Sequence, residues 1–272
     1  MNAHLNRRSL SVRRVLLAVA LLVPLAGIAV AAPSWAGTTI VYAALGDSYA
    51  AGVGADVYDP ASGSCARSPQ SAAALWAAGH PGTSFTFVAC SGATTTDVRN
   101  NQLSALSGAT TQVTVTVGGN DVGFESVLTT CVTGTDTACL LAIVQAERYT
   151  TTVLSGQLDA TYAAIRTRAP HARLIVLGYP RLFELTASCD QSGLDYHKRG
   201  MLNHAADVLD QVTSIRTAIA GATFVDVRPV FSGHGICSTI PWIQGIASPF
   251  AFHPNTTGYS SGYLAALLKV TG

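Results

Sequence analysis

Five short apolar or β-branched runs recur along the chain, each bounded by Gly, Pro or polar residues, at residues 39–45, 85–89, 113–117, 174–177 and 223–227. Runs of this length and composition predict β-strands. Apolar positions also recur at helical spacing, most clearly over residues 144–168, 194–220 and 257–270. The alternation of strands and helices predicts an α/β domain with a parallel sheet covered by helices on both faces.

The N-terminal segment 1–36 differs from the rest of the chain. Two arginine pairs precede an apolar run over residues 15–32, and the small residues Ser34 and Ala36 follow it. This order predicts a secretory signal peptide cleaved before Gly37, and one domain over residues 37–272. A membrane anchor is the alternative reading of the apolar run, and the arginine pairs leave open which export route is used.

Composition and charge exclude a nucleic-acid-binding role. The 272 residues carry 16 basic and 15 acidic side chains, a net charge of +1, and 49% of the residues are hydrophobic. Because the signal segment contains four arginines and no acidic residue, the remainder is mildly acidic. No basic patch is left to bind phosphates, and we expect a monomer whose partner is a small substrate.

All six cysteines lie beyond the signal segment, so an exported chain is expected to form disulfides. Six cysteines allow about 15 connectivities, and the sequence alone does not choose among them. Sequential pairing is the simplest: Cys65 with Cys90, Cys131 with Cys139, and Cys189 with Cys237. No pair has the spacing of a zinc or redox site, and no metal or cofactor is predicted.

Polar residues that are able to do chemistry follow the first three predicted strands. GDSYAAG occupies residues 46–52, CSGA residues 90–93 and GGND residues 118–121, while FHPN occupies residues 252–255 just before the last predicted helix. Because ligands of parallel sheets bind at the C-terminal ends of the strands, we expect these four segments to converge on one edge.

The residue types at these positions predict a serine nucleophile. A serine hydroxyl needs a base to accept its proton and donors to hold the oxyanion that forms. Ser48 is the candidate nucleophile and His253 the candidate base. The backbone amides of Ser48 and Gly92 and the side-chain amide of Asn120 are the candidate oxyanion donors, with glycine at position 92 allowing a close approach of the backbone.

The four segments, in their order and spacing, resemble the blocks of the SGNH hydrolases, also called GDSL esterases and lipases. The resemblance covers the chain after the signal segment. It implies a three-layer α/β/α sandwich of the flavodoxin-like type with a central five-stranded parallel sheet, and the roles already given to Ser48, Gly92, Asn120 and His253. The GDSY opening and the cysteines resemble the secreted actinobacterial branch, which includes esterases, lipases and phospholipases.

The sequence departs from the family pattern at two positions. Tyr49 replaces the leucine of GDSL, a change we expect to lie outside the chemistry. Phe250 stands where family members usually carry the acid of the triad, so we expect a Ser-His dyad with the backbone carbonyl of Phe250 orienting His253. Asp226 remains the rival carboxylate, and His234 remains an alternative base or a pocket residue.

Two acidic residues of the blocks are expected to be structural. Asp47 is predicted to accept hydrogen bonds from backbone amides, and Asp121 to form a turn after two glycines. The function expected from the resemblance is extracellular hydrolysis of lipid or other acyl esters through an acyl-serine intermediate. Alternatives on the same site are acyl transfer to another alcohol and removal of acetyl groups from polysaccharide. A secreted binding protein that has lost its chemistry is the alternative outside enzymology.

Overall fold

Within residues 39–189 and 191–272, which the computed structural model describes, three strands form the buried centre of a sheet. These are β1 (Val41–Gly46), β3 (Gln112–Thr116) and β4 (Arg173–Leu177), and almost all their residues are buried. Strands buried on both faces are typical of a parallel sheet covered by helices. The edge strands, β2 (Ser84–Phe87) and β5 (Thr223–Val225), are shorter and partly exposed.

The strand order is β2-β1-β3-β4-β5, and every neighbouring pair is parallel. This is the flavodoxin-like order, in which the chain reverses its direction of growth between β1 and β3. The register pairs Gly46 of β1 with Thr116 of β3. The loops that follow these two strands therefore begin at the same level, on either side of the switch point where such sheets bind ligands.

The α-helices of the described residues are α1 (Ser48–Ala51), α2 (Ala72–Gly79), α3 (Thr95–Asp97), α4 (Phe124–Thr133), α5 (Asp136–Tyr149), α6 (Ser155–Arg168), α7 (Tyr196–Ile219), α8 (Arg228–Phe231) and α9 (Leu264–Thr271). Right-handed crossovers place α2 on one face of the sheet and α6 and α7 on the other. α9 packs on α2, and α5 packs on both α4 and α7. The predicted three-layer α/β/α sandwich with a five-stranded parallel sheet is confirmed.

The predicted helix over residues 144–168 is two helices. α5 starts at Asp136 because the side chain of Thr135 caps it by accepting a hydrogen bond from the Ala138 amide at 3.2 Å. A π-helical turn, Thr150–Leu154, then joins α5 to α6. The apolar spacing runs through this turn, so the sequence pattern did not reveal the join.

The three disulfides pair the cysteines in sequence order, as the simplest prediction had it: Cys65 with Cys90, Cys131 with Cys139, and Cys189 with Cys237. The paired cysteines are 25, 8 and 48 residues apart in the sequence. Among the described residues, no helix is both long enough and apolar enough to cross a bilayer. The predicted signal peptide lies outside the described residues.

Candidate active site

Ser48 sits at the turn from β1 into α1. Gly46 has a φ of +125°, and a Cβ there would lie 2.2 Å from the carbonyl oxygen of Thr116, so glycine is required for both conformation and space. Asp47 is the N-cap of α1, accepting a hydrogen bond from the Tyr49 amide at 2.9 Å. Ser48 is therefore the first residue of the helix rather than its cap, and its hydroxyl is available to the loops around the switch point.

His253 reaches Ser48 from the far end of the chain. Its Nε2 lies 2.9 Å from the Oγ of Ser48. Two backbone hydrogen bonds with Gln244 hold the loop of His253 in antiparallel pairing. The Phe252 amide donates to the Gln244 carbonyl at 2.8 Å, and the Gln244 amide donates to the His253 carbonyl at 2.9 Å. Hydrogen-bond contact between a hydroxyl and an imidazole is the geometry that a nucleophile and its general base require.

The acceptor for the other ring nitrogen of His253 lies one residue from the position predicted. Nδ1 is 3.1 Å from the carbonyl oxygen of Ala251, whereas the carbonyl of Phe250 accepts the backbone N–H of His253 at 3.1 Å. Both carbonyls favour the charged imidazole, with Ala251 contributing more. A backbone carbonyl faces Nδ1, and the main acceptor is Ala251 rather than the predicted Phe250 because the tight turn directs the Phe250 oxygen to the amide.

Burial lowers the pKa of His253 below its ordinary value. The hydrogen bonds to the Ala251 and Phe250 carbonyls and the negative charge of Glu125 oppose this effect without cancelling it. The imidazole is consequently neutral near pH 7, which is the state that accepts a proton from a serine.

Asp226, the alternative carboxylate, and His234, the alternative base, both interact with other groups. Both carboxylate oxygens of Asp226 accept hydrogen bonds from Arg228 at 2.8 Å. His234 stacks on Trp242, with ring centroids 3.6 Å apart, and its Nδ1 lies 3.0 Å from the carbonyl oxygen of Ile240. Asp226 is therefore an ion-pair partner, and His234 packs in the neighbouring loop.

Tyr49, expected to lie outside the chemistry, contacts the histidine loop directly. Its hydroxyl donates a hydrogen bond to the carbonyl of Phe252, and its ring centroid lies 5.2 Å from that of His253. Phe252 has a φ of +65°, a left-handed conformation unusual for a phenylalanine. Tyr49 thus fixes a strained residue next to His253, a contact that the sequence did not indicate.

The candidate oxyanion donors come from three loops. Gly92 has a φ of +80°, and a Cβ on it would meet no protein atom within 4 Å, so within the protein glycine is needed there for its conformation. Among the described residues, neither the Ser48 amide nor the Gly92 amide donates to another protein group. Asn120 donates one amide hydrogen to the carbonyl of Ala93 at 3.0 Å, which leaves its second hydrogen for a ligand.

Asp121 joins the loop of Asn120 to the loop of Gly92. Its carboxylate accepts hydrogen bonds from the Thr95 amide at 2.9 Å and from the Thr95 hydroxyl at 2.6 Å. Together with the bond from Asn120 to Ala93, this ties the two loops at two points. A turn was the predicted role of Asp121, and the pattern of residues around it gave no signal of this cross-loop contact.

Tyr179, at the end of β4, joins the loops that follow β1 and β3. Its hydroxyl donates to the buried carboxylate of Asp47 and accepts from the Gly119 amide at 3.1 Å. Burial raises the pKa of Asp47 to about 7, although its hydrogen bonds with Tyr179 and the Tyr49 amide pull the pKa down. Asp47 is therefore structural, as predicted, and Tyr179 is the partner that the sequence did not reveal.

An apolar pocket opens beside Ser48 and Asn120 and extends between α4, α5 and α7. Most of the walls are apolar side chains: Val127, Leu128, Ala146, Leu202, Ala206 and Leu209. We call this space the acyl pocket because it is the apolar cavity that an ester bound at Ser48 would enter.

Comparison with known proteins agrees with this geometry. Residues 44–260 match the GDSL-like lipase/acylhydrolase family model. A lipase of Streptomyces rimosus is 46% identical over 269 residues, covering 98% of this chain and 99% of that protein. Lipase 1 of Streptomyces coelicolor is 45% identical over 229 residues, covering 83% of this chain and 85% of that protein.

Two solved structures have the same fold. The extracellular lipase of Streptomyces rimosus superposes with a TM-score of 0.84 at 47% identity, covering 86% of this chain and all of that one. Phospholipase A1 of Streptomyces albidoflavus superposes with a TM-score of 0.83 at 43% identity, covering 85% of this chain and 99% of that one. The chain belongs to the GDSL-like lipase/acylhydrolase family, as the resemblance of its four sequence blocks indicated.

Proposed function

We propose that this ester hydrolase cleaves fatty acyl esters through an acyl intermediate on Ser48, with His253 as the base and no carboxylate behind it. The observation that carries the proposal is the 2.9 Å contact between the Ser48 hydroxyl and His253 Nε2 at the mouth of the acyl pocket. Relatives named lipase and phospholipase A1, 43 to 47% identical, support the class of reaction.

In the first half of the reaction, Ser48 attacks the ester carbonyl while His253 takes its proton. The carbonyl oxygen becomes an oxyanion, which the amides of Ser48 and Gly92 and the free amide hydrogen of Asn120 are placed to receive. The imidazolium then gives its proton to the alcohol as the carbon–oxygen bond breaks. Water attacks the acyl-serine by the same route, and the acid and Ser48 are released.

A backbone carbonyl takes over the orienting role of the missing acid. Nδ1–H donates to the Ala251 carbonyl, which fixes the tautomer so that Nε2 accepts the proton of Ser48. A carbonyl dipole stabilises the imidazolium less than a full negative charge does. The nearby negative charge of Glu125 adds to this stabilisation through space.

The acyl pocket favours a fatty acyl group over the alternative substrates. Its apolar walls gain free energy from each methylene buried, and an acetyl group on a polysaccharide offers none beyond its methyl. Water is the proposed acceptor, and transfer to another alcohol would leave the same residues in the same roles. The ordered serine, histidine and oxyanion donors disfavour a binding protein without chemistry.

The proposed place of action is outside the cell. The relative whose structure superposes with a TM-score of 0.84 is described as extracellular. Three disulfides are typical of a protein that folds in an oxidising compartment. The predicted signal peptide over residues 1–36 supplies the export route, and we infer that it is removed before Gly37.

The test is hydrolysis of a triacylglycerol, a phospholipid and an acetylated xylan by the purified chain, with products identified by mass spectrometry. We expect free fatty acid from a lipid and little acetate from the xylan. Addition of a competing alcohol separates hydrolysis from transfer, because transfer would yield the new ester in place of the acid. Release of acetate alone, or of no product, would contradict the proposal.

A further inference from the structure

Two carboxylates line the acyl pocket, and they differ in how they are held. Asp47 is bound by Tyr179 and by the Tyr49 amide near the mouth. Glu147 lies on α5, and its Oε1 is fully buried with no hydrogen-bond donor from the described residues. His204 Nε2, on α7, lies 3.8 Å from that oxygen, beyond hydrogen-bond distance. The Glu147 side chain is 24% exposed, so this carboxylate stands at the boundary between the packed wall and water.

An apolar groove continues on the outer side of Glu147. It runs between α5 and α7, and its sides are Leu140, Ile143, Val144, Tyr196, Gly200 and Met201. We call it the outer groove. Glu147 is part of the lining of the acyl pocket and of the outer groove alike. Glu147 is therefore a wall that the two apolar spaces have in common.

The outer groove is long enough to matter for a lipid chain. Leu140, Val144 and Glu147 follow one another at spacings of four and three residues, so they form one line along α5. At about 1.5 Å per residue, the line is about 10 Å long. Leu140 and Val144 are 46% and 51% exposed, which is unusual for large apolar side chains lining the same groove.

Ser48 and Glu147 line the same pocket, so an acyl chain bound at Ser48 can extend to Glu147. The pocket walls before Glu147 are apolar, so each added methylene improves binding by a factor of about four. At Glu147, the next methylene would take the carboxylate further from water, which opposes the gain. The Glu147 carboxylate is thus a polar group between two surfaces that would each bind hydrocarbon.

Resting on the fatty acyl specificity proposed above, we propose that Glu147 sets the upper limit of acyl chain length in this enzyme. Chains that end before Glu147 bind wholly inside the acyl pocket. Longer chains must displace the Glu147 side chain to enter the outer groove. Glu147 is accordingly a specificity-determining residue that contacts the substrate tail and takes no part in bond breaking.

The test is the kcat/KM of a series of p-nitrophenyl esters from butyrate to stearate. Glu147→Leu replaces the carboxylate by an apolar side chain of similar size, and Glu147→Gln keeps a polar group. We expect the ratio of the longest to the shortest ester to rise about 15-fold in the Leu variant, which is the gain from roughly two further buried methylenes. The Gln variant should keep a ratio close to the wild type. Arg148→Ala, at the exposed next residue of α5, is the control for changes to the helix surface.

A second variant asks where the tail of a long chain goes. Gly200 lines the outer groove and a Cβ on it would meet nothing within 4 Å, so Gly200→Phe is the variant chosen to fill the groove. In the double variant Glu147→Leu with Gly200→Phe, the gain for long esters should disappear. Far-ultraviolet circular dichroism and the thermal midpoint of each variant confirm that the comparison is between folded proteins.

The outcomes separate this proposal from the proposed function. An unchanged ratio in Glu147→Leu, or an equal rise in Glu147→Gln, would overturn the role of Glu147 while leaving ester hydrolysis intact. A gain that survives Gly200→Phe would overturn the path through the outer groove. A wild-type protein inactive on the whole ester series would remove the proposed function, and the role of Glu147 with it.

Discussion

The reaction centre and the acyl pocket share Ser48 and Asn120, yet they are built in different ways. At the reaction centre, side-chain and backbone hydrogen bonds tie together loops that are far apart in the chain, such as Asn120 to Ala93 and Tyr179 to Asp47. In the pocket, the walls are apolar side chains of three packed helices. The first region is fixed by directional bonds and the second by the fit of apolar surfaces.

This difference separates chemistry from selectivity. A change in a hydrogen bond at the reaction centre alters the transition state, which is the same for every ester. A change in the pocket wall alters the binding of the acyl chain and so depends on its length. Variants of the two regions should therefore give different patterns across a series of esters.

The largest of the expected effects is at the oxyanion donors. Asn120→Ala should lower kcat by about 100- to 1,000-fold, because one donor to the oxyanion is lost. The loss should be the same for p-nitrophenyl butyrate and palmitate. Asn100→Ala, at an exposed asparagine, is the matched control. A loss confined to one chain length would contradict the separation of the two regions.

A larger side chain in the pocket should give the opposite pattern. Ala206→Phe places a ring in the space between α5 and α7, and we expect kcat/KM for palmitate to fall at least about 10-fold relative to butyrate. Ala163→Phe, on the exposed face of α6, provides the control. Equal losses on both esters would mean that the pocket and the reaction centre are not independent.

The hydrogen bond from Tyr49 to the Phe252 carbonyl should have a smaller effect. Tyr49→Phe removes only the hydroxyl, and we expect kcat to fall about fivefold with little change in KM, consistent with about 1 kcal/mol for one hydrogen bond. The variant should react with every ester alike. A change in KM that grew with chain length would instead assign Tyr49 to the acyl pocket.

The smallest expected effect is on the pH profile. Neutral His253 is the active form, and a lowered pKa extends that form to lower pH. If His253 had an ordinary pKa, about a quarter of the plateau kcat/KM would remain at pH 6. We expect a larger fraction to remain, because its pKa is lowered. Because the charge of Glu125 favours the imidazolium, Glu125→Gln should move the acid limb to still lower pH at low salt. An acid limb centred above pH 6.5 would contradict the burial of His253.

Local sequence was enough to predict which blocks meet at one edge of the sheet. Ser48, Gly92, Asn120 and His253 each follow a strand or precede a helix in a short block, and parallel strands bring such blocks to one edge. The acceptor for His253 was placed one residue away, at Phe250, because the direction of a carbonyl depends on the conformation of the turn. Strand bounds differed from the predicted ones by up to two residues, because the ends of a strand depend on its pairing with neighbouring strands.

The remainder depends on contacts between distant parts of the chain. Tyr49 and Phe252 are 203 residues apart, and Tyr179 and Asp47 are 132 apart. Nothing in the residues near Tyr179 distinguishes it from an ordinary core tyrosine. The acyl pocket was also beyond prediction, because its shape is set by how α4, α5 and α7 pack and not by any one segment.

The central claim is that His253, oriented by a backbone carbonyl, activates Ser48 without a carboxylate. Labelling by a fluorophosphonate probe, with the modified peptide identified by mass spectrometry, tests it most directly. We expect a single modified residue, Ser48, no labelling of Ser48→Ala, and labelling at least about 100-fold slower in His253→Ala. Rapid labelling of the His253→Ala variant, or of another serine in Ser48→Ala, would contradict the account.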